Sequence, residues 1–161
     1  GLTDEGFAAE TETPLGPGTI TDHVRIRIMD AWVHEQDIRR ALGIPGELDG
    51  PVAEHSVGRF IRAMPFVIAR KAQAPDGSTV VFNITGPAGR VVSVGVAENR
   101  GSELETEPTS PTVGITVDVE TFTCLACGRW KPSDVLDSGR ITLSGDTTMG
   151  QTIINQMNIM I

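Results

Sequence analysis

The chain has 161 residues, a formal net charge of -8, 39% hydrophobic and 21% charged residues, and only 4% aromatics. That is enough chain for one medium domain with a real core, or a small domain with an appendage. The acidic balance and the scarcity of aromatics argue against a nucleic-acid partner, which needs Lys and Arg on phosphates and rings for stacking. No stretch approaches the roughly 20 apolar residues that span a membrane, and the start lacks a basic then apolar leader pattern, so the default expectation is a cytoplasmic protein.

The first 19 residues are acidic and rich in Thr, Gly and Pro, and they read as an extended lead-in. A helix is expected over residues 21–42, capped by Thr21 or Asp22 and stopped by Gly43 and Pro45. On it, His23, Arg27, Asp30, His34 and Asp37 recur at spacings of four, three, four and three. At about 100° per residue they occupy a wedge roughly 80° wide. Ile26 and Val33 flank that stripe on one side, and Val24, Ala31, Ile38 and Leu42 on the other, while Arg25, Glu35, Gln36 and Arg39 suit the solvent side. A polar stripe between apolar shoulders implies that it faces an interior. Buried His and carboxylates there need ion pairing or a metal, which makes the stripe the best site candidate. The alternative for Asp30 and His34 is a plain helix salt bridge.

Pro51 opens a second helix with Val52, Val57, Phe60, Ile61 and Met64 on its apolar face, and Pro65 kinks or divides it. Near residue 76 the pattern changes. Residues 78–85 and 90–97 read as strands joined by the Gly86-Pro87-Ala88-Gly89 turn, a hairpin. A polar loop over 98–111 leads to a third strand in which Val113, Ile115, Val117 and Val119 alternate with small or polar residues. A short helix over 120–127, a helical turn near 132–136 and a brief fourth strand over 140–143 follow. Asp146 and its neighbours cap a final helix with Met149, Ile153, Ile154, Met157 and Ile161 near one face.

The order implies an α+β fold: a mostly antiparallel sheet of about four strands with helices packed on one face, preceded by one amphipathic helix. That first helix cannot form a bundle alone. Its stripe and shoulders need a cover, either other helices of the polypeptide or a partner chain. Cys124 and Cys127 form a lone CxxC without a second pair or a nearby His, and core packing is the favoured reading over redox or metal chemistry. Trp32 and Trp130 read as packing anchors.

Residues 30–43, DAWVHEQDIRRALG, resemble the last bundle helix of the mycothiol-dependent maleylpyruvate isomerase family, within the DinB-like group of metal-binding four-helix bundles. Residues 121–129, TFTCLACGR, followed by 139–146, GRITLSGD, look like that family's C-terminal domain, which is similar to sterol-carrier-type folds. The resemblance covers nearly all of the chain after residue 13 and is most specific at WVHEQDIRRALG. It implies two parts: residues 1–45, a lead-in and the last helix of an incomplete DinB-like bundle, and residues 46–161, a sterol-carrier-like α+β domain. It further implies a divalent metal, usually zinc, with Asp30 and His34 as two ligands and another His on an earlier helix outside this sequence. His23 is about three turns from His34, too far to close the same site.

Asp37 is then either an acceptor that orients His34 or an ion-pair partner of Arg40 or Arg27. Arg129 either fixes a helix carbonyl or projects towards the bundle site, and Arg140 competes with it for the family's C-terminal catalytic arginine. The implied co-substrate is mycothiol, a low-molecular-weight thiol whose thiolate adds to an activated double bond of a small-molecule substrate. In the isomerase this allows cis to trans rotation before the thiol leaves, and other members look like thiol transferases. The competing expectation is a non-catalytic sterol-carrier-like domain that binds an apolar ligand or braces the bundle.

Overall fold

In the computed structural model, which describes residues 3–159, a five-stranded sheet with helical cover carries an additional hairpin and one long helix at its N-terminal side. The lead-in is not extended. Thr3 caps a short helix α1 (Asp4–Phe7), and β1 (Glu10–Thr13) and β2 (Gly16–Thr19) pair antiparallel. Gly16, at φ 102°, closes the turn, and the Thr13 hydroxyl donates to its carbonyl over 2.7 Å. This hairpin has almost no apolar residues to announce it.

The long helix α2 (Ile20–Leu42) is capped by Thr19, ahead of the expected Thr21 or Asp22. Thr19 and Asp22 form a reciprocal capping box, and Gly43 ends the helix in the left-handed conformation at φ 67°. Its buried side is Ile26, Met29, Trp32, Val33 and Gln36. Gln36, expected in solvent, is only 4% exposed. Its Nε2 donates to the Glu47 carbonyl over 3.4 Å, and Trp32 Nε1 donates to the same oxygen over 3.1 Å. A backbone acceptor from the following connection thus satisfies a buried amide that helical periodicity alone put outside. Met29, Trp32 and Val33 join the main core.

Pro65 does divide the second helix. α3 (Gly50–Ile61) ends four residues ahead of it, and α4 (Met64–Phe66), with Pro65 in its first turn, runs into a wide π-helical turn over Val67–Lys71. His55 Nε2 lies 2.8 Å from the Arg25 carbonyl and ties α3 to α2. The hairpin β3 (Thr79–Thr85) and β4 (Val91–Ala97) forms as expected, and β5 (Arg100–Glu103) adds a strand within the segment read as loop. β6 (Val113–Asp118) then crosses to the far side of β3 and pairs with it parallel, and β7 (Ile141–Gly145) pairs antiparallel with β6. The order β5-β4-β3-β6-β7 is therefore mixed, with one parallel pairing in a mostly antiparallel sheet.

Register puts Val80, Phe82 and Ile84 of β3 beside Val113, Ile115 and Val117 of β6. All six belong to the core, which also takes Phe60 of α3, Phe122 and Leu125 of α5 (Val119–Ala126) and Ile153 and Ile154 of α7 (Thr147–Asn155). Phe82 and Phe122 meet edge to face at 6.0 Å. Between α5 and β7 lies α6 (Pro132–Asp137). Asp146 caps α7 by accepting from Met149 N. Ile153, Ile154 and Met157 are wholly buried, so they fill the core; Ile161 lies outside the described residues.

Candidate functional site

The stripe on α2 lies at the surface of this chain. The His34 side chain is 64% exposed, with Nε2 3.5 Å from Asp30 Oδ1 and Nδ1 3.7 Å from Asp37 Oδ2. Arg27 Nη1 bonds the other Asp30 oxygen at 2.6 Å, which leaves Oδ1 turned towards the imidazole. His23 stands apart, its Nδ1 3.3 Å from the Glu12 carbonyl on the hairpin. On one flank of the stripe, Ile26 and Val33 are buried against the domain. On the other, Val24, Ile28, Ala31, Ile38 and Leu42 are exposed as an apolar ridge.

Asp37 receives two arginines. Arg40, one turn on, donates to Oδ1, and Arg129 donates through Nε to both oxygens at 3.2 Å and through Nη2 to Oδ2 at 2.9 Å. The Arg129 fork lowers the Asp37 pKa below the usual carboxylate value, against partial burial that raises it, with Arg40 adding to the lowering; the carboxylate raises the Arg129 pKa in return. Arg129 also fixes a carbonyl at the end of the short helix before it, because its Nη1 donates to the Cys127 carbonyl at 2.9 Å.

The turn after α5 aims this arginine. Arg129 N and Trp130 N both donate to the Cys124 carbonyl, and Gly128 sits at φ 65° with the Asn158 side chain 2.7 Å from where a Cβ would stand. Arg140 stacks on Trp130 at 4.9 Å and makes no ion pair among the described residues. Arg129, Trp130, Lys131 and Arg140 line one open groove of about 440 Å³. Asp30, His34, Asp37 and Arg129 thus form a continuous array, with Arg140 beside it. Trp32 is a buried anchor, whereas Trp130 is half-buried and braces Arg140.

Cys124 and Cys127 are buried free thiols in the α5 region. Burial pushes their pKa values up to about 11 and about 12, which suits packing and opposes thiolate chemistry. Among the described residues, no group of three or more His, Cys, Asp or Glu could hold a metal ion. No helix among them is long and apolar enough to cross a membrane.

These features define an α+β domain with a mixed sheet, joined to a helix that presents a carboxylate and an imidazole one turn apart. Residues 54–151 match the MDMPI C-terminal domain. The chain belongs to that family, the maleylpyruvate isomerase family that the helix sequence resembles. Comparison with curated proteins finds no match.

Among solved structures, the chain is similar to a UbiJ-SCP2 ubiquinone synthesis protein, at 12% identity and TM-score 0.48 over 66% of this chain and 96% of that one. It is also similar to sterol carrier protein 2 like 2 from Aedes aegypti, at 20% identity and TM-score 0.45 over 61% and 96%. Sterol carrier protein 2 from Yarrowia lipolytica gives 16% identity and TM-score 0.42 over 65% and 93%.

Proposed function

We propose that this chain is the C-terminal part of a cytoplasmic, metal-dependent enzyme that uses mycothiol, an isomerase or thiol transferase of the maleylpyruvate isomerase family. The observation that carries the reading is the Asp30 and His34 pair on an open helix face, one turn apart and 3.5 Å from each other. A carboxylate oxygen and an imidazole nitrogen suit zinc, so the pair fits half of such a site. Asp37 is unsuited to complete it, because both of its oxygens already hold guanidinium groups. The remaining ligand is assigned to helices outside this sequence, or to a partner chain, lying over the exposed ridge of Val24, Ile28, Ile38 and Leu42.

A divalent ion held there would supply the positive charge that lowers a thiol's pKa. The chain's own residues do the positioning. Asp37, held charged by Arg129, lies 3.7 Å from His34 Nδ1, and Asp30 lies 3.5 Å from Nε2, so the two carboxylates flank the imidazole along the helix. Arg140 and Lys131 keep cationic ends in the adjacent groove, where they suit a carboxylate on the small-molecule substrate.

Zinc titration tests the reading on this chain and on a longer one that carries amphipathic helices ahead of Gly1. Tight binding by the longer form, abolished by Asp30→Asn or His34→Gln and accompanied by mycothiol-dependent turnover, is the expected result. If neither form binds zinc, the metalloenzyme reading falls.

A second reading, a module that binds an apolar ligand, is favoured by a different feature: a large groove lined by Leu15, Met29, Phe60 and Phe66. Lipid retained through purification supports it.

A further inference from the structure

The groove just mentioned, about 720 Å³, runs between the tip of the β1–β2 hairpin, α2, the α3–α4 corner and the segment after α7. It is separate from the His34 site: at about 100° per residue, Met29 sits about 140° around α2 from His34. Phe60 and Met29 are buried beneath it, while Leu15 and Phe66 remain 74% and 59% exposed at its sides. A turn tip ordinarily carries polar residues. A leucine there, across from an exposed phenylalanine over an apolar floor, is a surface built for an apolar occupant.

The polar residues of the lining are few: Arg59, Lys71 and the neutral Asn158. Lys71 Nζ donates to the Asn158 carbonyl and has no carboxylate partner among the described residues. Arg59 is more informative. Its Nε is buried without an acceptor, and its guanidinium makes no ion pair among the described residues. Arg59 also lines a groove that has no carboxylate among its lining residues, so its guanidinium suits an anionic acceptor placed there. Burial and the nearby Arg62 and Arg25 depress its pKa, opposed only by Asp22. Asp22 is already engaged by the backbone and hydroxyl of Thr19. In a chain of net charge -8, three arginines around one committed carboxylate make a local excess of positive charge.

We propose that the groove binds a single-chain amphiphile whose alkyl tail lies over Phe60 between Leu15 and Phe66 and whose carboxylate accepts from Arg59. This rests on the apolar-ligand reading and adds the headgroup. The charge of the lining selects for it, because Arg59 and Lys71 face the groove with no carboxylate among its lining residues, and an uncharged ligand would fill the apolar floor and leave that charge unanswered.

Calorimetric titration with laurate, decanoate and 1-dodecanol tests both parts. Laurate should bind at least about tenfold tighter than dodecanol, the least expected of one charge-assisted hydrogen bond. Decanoate should bind about 15-fold more weakly than laurate, at roughly fourfold per buried methylene. Arg59→Gln should erase the preference for acid over alcohol while dodecanol affinity stays within about twofold; Arg59→Lys should keep part of the preference, and circular dichroism melts check that both variants fold. Equal binding of laurate and dodecanol by the unaltered protein would overturn the headgroup assignment while leaving an apolar site. Binding of neither would overturn both.

Discussion

Arg129 and Asp37, 92 residues apart in sequence, meet through a forked contact that joins the turn after α5 to the surface of α2. Each side chain is about one-third exposed, so the contact contributes modestly to stability. Its larger effect is positional, because it holds the domain's arginine beside the helix face that carries His34. Arg129→Lys keeps the charge but loses the planar fork. The expected cost is about 0.5–1 kcal/mol in urea unfolding; on the proposed function, turnover should fall by more.

The same pair sets a pH dependence. The folded-state pKa of Asp37 lies below its ordinary value, so its contribution is fully present above the unfolded pKa of about 4. As pH falls below that value the contribution declines, and it is gone once pH is below the folded pKa. Urea midpoints measured from pH 6 down to pH 2 should fall less steeply for Asp37→Asn than for the native chain. Identical slopes would mean that the ion pair is energetically silent.

The cysteines should be inert in the native fold. With thiol pKa values near 11 and 12 and both side chains buried, neither should react with an aromatic disulfide reagent at pH 8 within minutes. Unfolding in guanidinium should release two thiols per chain. Rapid labelling of the folded protein would contradict the packing role.

Gly128 should resist substitution. Its φ of 65° and the nearby Asn158 side chain leave an added methyl strained. Gly128→Ala should destabilise by about 1 kcal/mol. It should also displace Arg129, seen as loss of the extra destabilisation that Asp37→Asn otherwise brings in a double-mutant cycle.

Legibility in the sequence followed the physical source of each element. The Gly43 stop of α2, the β3–β4 hairpin, the alternation in β6 and the Asp146 cap depend on local signals, and they lie where those signals put them. β1 (ETET) and β5 (RGSE) have no apolar face to betray a strand, and backbone pairing alone reveals them. The parallel β3–β6 pairing depends on a crossover that no local pattern encodes. At the site, spacing placed Asp30, His34 and Asp37 on one face, yet whether that face is covered depends on what lies against it. Gln36 was misplaced because its partner, the Glu47 carbonyl, belongs to a connection whose path the sequence leaves open. Arg59 escaped notice because an unmet donor exists only once the chain around it is folded.

Glu47 is more than a local acceptor. Held at φ 56°, its carbonyl takes donors from Trp32 and Gln36, one turn apart on the same long helix. Two donors on one fixed oxygen act as an index pin: α2 can neither slide along its axis nor roll about it without losing both. The bearing of the Asp30 and His34 pair is therefore set from behind, by a loop on the far side of the helix. A change in that loop would detune the site without touching any residue in it.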